Sequence, residues 1–195
     1  LGEHGLADHH GSLDDLLIRV PFVGWGPGLI PSGVQQNIHE FVDVWPSLAA
    51  LLDKKPGVDY LGTRRTSLFE SGEVEDETDC AFAEWRRWSD NELARLASRN
   101  PSFDFAPFVR DLACARDSRF KLVRSSPGED RLYDLVADPS EQRDAATEQP
   151  EVVRRLGARL EEAQAEWAKW DGERSPLSDE DAREIERRLS DLGYI

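Results

Sequence analysis

The 195 residues carry 39 Asp and Glu against 24 Lys and Arg, a formal charge of −15 at pH 7. At 39% hydrophobic and 32% charged the chain is globular, one domain or one and a half, able to bury roughly 70% of its unfolded surface. The anionic balance offers no basic stripe for a phosphate backbone, so no nucleic acid is expected, and no apolar run reaches the ~18 residues that span a bilayer.

In chain order, residues 1–16 are polar, lack a signal-peptide pattern and hold His4, His9 and His10. Residues 16–25 form a short apolar run closed by Gly26-Pro27-Gly28. It reads as a buried strand of a parallel sheet covered on both faces, although Pro21 removes one ladder donor. Asp43 and Pro46 precede Leu48, Leu51 and Leu52, predicting a short helix with proline in its first turn. Residues 53–79 are turn-rich and acidic, and the run from Glu73 to Asp79 reads as a solvated loop. The second half changes character. Residues 80–85, 112–116, 119–124 and 131–135 are short candidate strands, the middle two close enough for a hairpin at Asp117-Ser118, where the usual glycine is missing. Thr147 precedes a long amphipathic helix, about 148–170, with Val152, Leu156, Leu160, Ala163, Trp167 and Trp170 in one stripe. A linker over 171–176 leads to a terminal helix, about 179–192, capped by Ser178 and striped by Ile185, Leu189 and Leu192.

Two cysteines, Cys80 and Cys114, do not make a disulfide framework; two reduced core thiols are expected, with a single bridge as the other arrangement. The only lysines are Lys54, Lys55, Lys121 and Lys169. Scarce lysine with abundant carboxylate suits a halophilic protein, solvated at high salt, and GC-rich coding equally favours arginine. No methionine occurs, even at position 1, which leads us to expect a piece of a longer protein or one processed half.

The densest chemical candidate is Glu3-His4-Gly5-Leu6-Ala7-Asp8-His9-His10. Neighbouring imidazoles and carboxylates can ligate a metal or move protons. Their spacing matches no standard zinc pattern, so histidines hydrogen-bonded within a loop compete with that reading. Asp14-Asp15 has the form of a catalytic pair, but a helix or loop surface is simpler. Trp85 with Trp88, or Trp167 with Trp170, suggest a sugar-stacking platform, yet 3-residue spacing favours core anchors. No nucleophile elbow, phosphate-binding loop or dinucleotide fingerprint appears.

The order of the pieces says more. Leu1-Gly2-Glu3-His4-Gly5-Leu6 followed by Leu17-Ile18-Arg19-Val20-Pro21-Phe22-Val23 strongly resembles the sulfatase family of the alkaline phosphatase superfamily. Val42-Asp43-Val44-Trp45-Pro46-Ser47-Leu48, Arg116-Asp117-Ser118-Arg119-Phe120-Lys121-Leu122 and Leu132-Tyr133-Asp134-Leu135-Val136-Ala137-Asp138-Pro139 resemble three further family motifs in family order. The ending, Arg188-Leu189-Ser190-Asp191-Leu192-Gly193-Tyr194-Ile195, is similar to microbial sulfatases. The resemblance covers only the C-terminal portion of such an enzyme.

That resemblance implies an α/β fold: residues 1–78 as the closing part of an alkaline-phosphatase-like catalytic sheet sandwich, and residues 79–195 as a small α+β subdomain with an antiparallel sheet and a long helix. It implies sulfuric ester hydrolysis through a formylglycine nucleophile and a divalent cation, commonly calcium. Both lie outside this chain, which is then inactive alone, holds no metal ligand and needs the missing N-terminal sulfatase half as partner. Neither Cys80 nor Cys114 sits in the nucleophile motif. A sulfated small molecule or glycan is the implied substrate. One contributor remains: the slot that many sulfatases fill with a sulfate-binding lysine falls on His10, with His9 as the lesser candidate for substrate contact. His4 fixes the loop and His39 is a surface histidine. Arg119 and Lys121 either face the substrate mouth or, as is commoner, pair with carboxylates. Two other readings stay open: a phosphodiesterase or phosphonate hydrolase of the same superfamily, and a non-catalytic binding or assembly module.

Overall fold

The computed structural model describes residues 11–34, 37–53, 68–69, 80–99, 101–106, 109–126 and 128–171, with 183, 187, 188 and 190 beyond them. The chain divides into two compact units, Leu1–Ala163 and Gln164–Ile195. The first holds an antiparallel meander of β1 (Ala81–Trp85), β2 (Leu112–Arg116), β3 (Phe120–Ser125) and β4 (Glu129–Asp134), in that spatial order. Each of the four predicted strands is present. The β2–β3 hairpin closes without glycine because Asp117 does the work: its Oδ1 accepts the Arg119 and Phe120 amides at 2.8 and 2.6 Å.

Period-2 alternation divides the sheet residues between two faces. On one face Ala115, Leu122 and Leu132 pack against Leu156 and Leu160 of α4 (Pro150–Asp171), all fully buried. Removing each such leucine from water contributes roughly 2 kcal/mol. α4 starts with proline at its first position, where a missing amide hydrogen costs nothing. Gly157 faces the sheet, and a Cβ there would lie 3.2 Å from Arg124 Nη2 and 3.8 Å from Leu122 Cδ2. The predicted long helix and its stripe through Ala163 are therefore found nearly as read.

The opposite face is covered by the segment leading into α1 (Asp15–Ile18). Leu13 packs there with Leu112 and Cys114, flanked by Ile18, Ala83, Trp85 and Val123. Trp85 and Trp88 meet edge to face, centroids 6.2 Å apart, as packing residues.

The strand expected over 16–25 is not formed. α1 takes residues 15–18, and the chain beyond it has no regular secondary structure or ladder partner among the described residues. Val23 is 90% and Trp25 86% exposed. The run has strand composition, but a strand exists only where a neighbour accepts its hydrogen bonds.

α2 (Val44–Leu51) matches the expected short helix, entered by a 3₁₀ turn over Phe41–Asp43 with a capping box between Glu40 and Asp43. Ser47 Oγ donates to the Asp43 carbonyl at 2.6 Å and accepts the Leu68 amide at 3.0 Å. Glu40 Oε1 accepts the Phe82 amide at 2.9 Å, tying this region to β1. α3 (Asp90–Arg99) was not expected from the sequence, although Ser89 and Glu92 form a capping box, with Ser89 N and Oγ donating to Glu92 Oε2 at 2.9 and 2.7 Å. The acidic run from Glu73 to Asp79 and nearly all of the linker and terminal helix lie outside the described residues; 183, 187, 188 and 190 are helical. Among the described residues no helix is long and apolar enough to cross a membrane.

Candidate functional site

The most constrained chemistry in the described residues is a buried charge cluster on the α1-covered face of the sheet. Lys121 on β3 is fully buried. Its ammonium donates to the Leu13 carbonyl at 2.8 Å and to Asp15 Oδ1 at 3.3 Å, and it forms an ion pair with Glu141 Oε2. Arg116, directly opposite Lys121 in the β2–β3 register, pairs with Asp15 Oδ2 through Nη2 at 3.2 Å. Glu141 Oε1 accepts the Asp15 amide at 2.7 Å. Two cations and two carboxylates thus balance in a site where an unpaired charge would cost several kcal/mol.

Glu141 is itself buried and sits in the left-handed region with φ 54°. For a residue with a Cβ that conformation costs roughly 1 kcal/mol or more and persists only where the surroundings enforce it. The preceding turn does so: Asp138 Oδ2 accepts the Gln142 and Arg143 amides at 2.7 and 2.8 Å, and Asp134 Oδ1 accepts the Val136 and Ala137 amides at 3.2 and 3.3 Å. The segment from Leu132 to Pro139 is therefore a delivery device for Glu141. Arg119 clamps Asp134, with Nη2–Oδ2 at 2.7 Å, which holds that carboxyl below the usual carboxylate range.

Lys121 and Arg119 accordingly pair with carboxylates, the commoner of the two expected readings. Asp15 corrects the expectation of a helix or loop surface at Asp14-Asp15: it begins α1, but Lys121 and Arg116 draw its side chain inward. Sequence reasoning missed Glu141 and Arg116 as its partners. Nothing local marks them, since the four residues converge from three separate segments.

His4, His9 and His10 lie outside the described residues. What is described begins immediately after them, at Gly11, which is buried with φ 77°, a conformation that favours glycine. His39 is half-buried before the 3₁₀ turn rather than on the surface. Cys80 and Cys114 are buried and not bridged to each other. Burial pushes the Cys114 thiol up to about 11 and raises that of Cys80. Among the described residues no group of three His, Cys, Asp or Glu is placed to hold a metal ion.

No protein-family model matches the chain. It is similar to an N-acetylgalactosamine-6-O-sulfatase of Bacteroides thetaiotaomicron, 29% identical over 143 residues. The match covers 73% of this chain and 27% of that protein, so the chain spans about a quarter of the length of the curated relative it matches. Among solved structures, a protein in complex with its substrate D-glucosamine-2-N,6-O-disulfate aligns at 18% identity and TM-score 0.43, covering 64% of this chain and 23% of that one. The phosphonate monoester hydrolase of Agrobacterium radiobacter aligns at 30% identity and TM-score 0.41, covering 65% and 24%.

Proposed function

We propose that residues 1–195 are the C-terminal portion of a sulfuric ester hydrolase, residues 1–78 closing its catalytic α/β domain and 79–195 forming its C-terminal subdomain. The observation that carries this reading is the similarity to a sulfatase over 143 residues. The exposed apolar side chains of Val20, Phe22, Val23 and Trp25 support it, because a strand composed for burial calls for sheet neighbours from the rest of a larger protein. The substrate class is a sulfated sugar or other sulfated small molecule. The formylglycine nucleophile and the divalent cation, calcium, belong to the part of the enzyme outside this chain.

In this reading His10 donates to a sulfate oxygen or to the departing ester oxygen. Cleavage builds negative charge there, and a fixed donor lowers the barrier; losing one typically costs about 10²–10³ in rate. His9 has the lesser share of the contact. The test is sulfate-ester turnover by the whole gene product that carries this chain. His10→Ala should lower kcat by about that factor, and His10→Lys should restore much of it. Turnover of His10→Ala within twofold of wild type removes His10 from the reaction.

A further inference from the structure

We propose that residues 12–18 are a strap that lifts off the sheet as one unit, uncovering the Cys114 thiol while the four strands stay packed on α4. The inference is independent of the reaction proposed above.

The two faces of the sheet are held in different ways. On the α4 face the hold is apolar, with Leu156 and Leu160 fully buried. Ion pairs reinforce it, Arg155 to Asp117 at 2.6 Å and Arg124 to Glu161 at 3.1 Å, and tie the helix to the β2–β3 hairpin. The strap buries one side chain, Leu13, against Leu112 and Cys114. Its helix α1 buries none, and Leu16 is 66% exposed. Segments with so few buried apolar contacts are the ones that open short of global unfolding.

What closes the strap is polar. Lys121 Nζ donates to the Leu13 carbonyl and to Asp15 Oδ1, Arg116 pairs with Asp15 Oδ2, and the Asp15 amide donates to Glu141 Oε1. These bonds part along a clean line. Lys121 on β3 and Glu141 in the turn beyond β4 are both buried, and they remain paired with each other when the strap leaves. Asp15 departs into water, and Arg116, with a side chain already 20% exposed, is hydrated where it stands. Breaking a buried cluster is costly when it strands one member without a partner, and lifting the strap strands neither Lys121 nor Glu141. The arrangement that holds the strap down therefore also lets it rise with the sheet intact.

The chain's two cysteines report on the two faces separately. Cys114 lies beneath Leu13 at 1% exposure, whereas Cys80 is buried in the α4-side core with Leu156 and Leu160. A reagent reaches Cys114 through the raised strap, and reaches Cys80 only where the α4 side gives way.

The test follows alkylation of each thiol by iodoacetamide in the folded full chain, the two resolved by mass spectrometry of their tryptic peptides. The global unfolding constant of each variant comes from urea titration. Asp15→Asn weakens the strap's hold and should speed Cys114 labelling at least about tenfold, the weight of a hydrogen bond to a charged group. Leu160→Ala loosens α4, raises the global unfolding constant and should speed Cys80. It should leave Cys114 at its wild-type rate, because the raised strap keeps α4 in place. Arg116→Gln and Val153→Ala, milder changes on the same two faces, replace either variant if it does not fold. Cys114 labelling that rises in the α4 variant in step with the global unfolding constant shows that the thiol is reached only through the unfolded chain, and overturns the strap. A Cys114 rate unmoved by the strap variant in a folded protein overturns it equally.

Discussion

Lys121→Met has a sharply defined energetic consequence. The substitution keeps most of the buried aliphatic stem and removes an ammonium that donates to the Leu13 carbonyl and Asp15 and ion-pairs with Glu141. Asp15 retains Arg116, but Glu141, with a side chain only 3% exposed, loses its counterion. Breaking a buried pair from one side costs about 3–5 kcal/mol, a large part of the 5–15 kcal/mol that typically holds a domain folded. The companion change Glu141→Gln removes the orphaned charge and preserves an acceptor for the Asp15 amide. The double variant should recover about 2 kcal/mol of the loss, since neither partner is then buried alone. Urea unfolding followed by the sheet's circular dichroism measures both, and the midpoints should move without a change in m. A Lys121→Met loss below about 1 kcal/mol, the range of surface pairs, or strict additivity in the double variant, would refute the reasoning.

Other outcomes follow from burial and capping. The Cys114 thiol, held up at about 11 by burial against an ordinary 9.0, binds its proton more tightly in the folded state. Its contribution to stability is therefore full below the ordinary value and is lost as pH rises through about 11. Unfolding titrations should show that alkaline slope in wild type and a shallower one in Cys114→Ala. At pH 8 both native thiols should resist a soluble disulfide reagent and react fully in denaturant. Ser89→Ala removes the cap of α3 and should cost about 1 kcal/mol, seen as faster amide exchange at residues 90–93 with β2 and β3 unaffected.

The sheet was legible because its residues declare a period of two and its long helix a stripe with 3- and 4-residue steps. Even the glycine-free hairpin was readable, with Asp117 supplying the turn acceptor. α3 carries its signal openly in Ser89 and Glu92, but its apolar face is thin: Leu93, Ala94, Leu96 and Ala97 stand among charged residues, and none is buried. Residues 16–25 misled in the opposite direction. Composition predicts whether a segment can be a buried strand, whereas hydrogen-bonding neighbours decide whether it is one, and the described residues provide none. The charge cluster was the least legible feature. Asp15, Arg116, Lys121 and Glu141 come together only through strand register and a left-handed turn, and no local pattern encodes either.

The most direct test of the account is a paired assay of the whole gene product that carries this chain, on a sulfated sugar, the substrate class proposed above, and on a phosphonate monoester of matched leaving group. The account predicts turnover of the sulfate ester, with the phosphonate slower by orders of magnitude. Preferential cleavage of the phosphonate, or a stable protein that turns over neither ester, would contradict it.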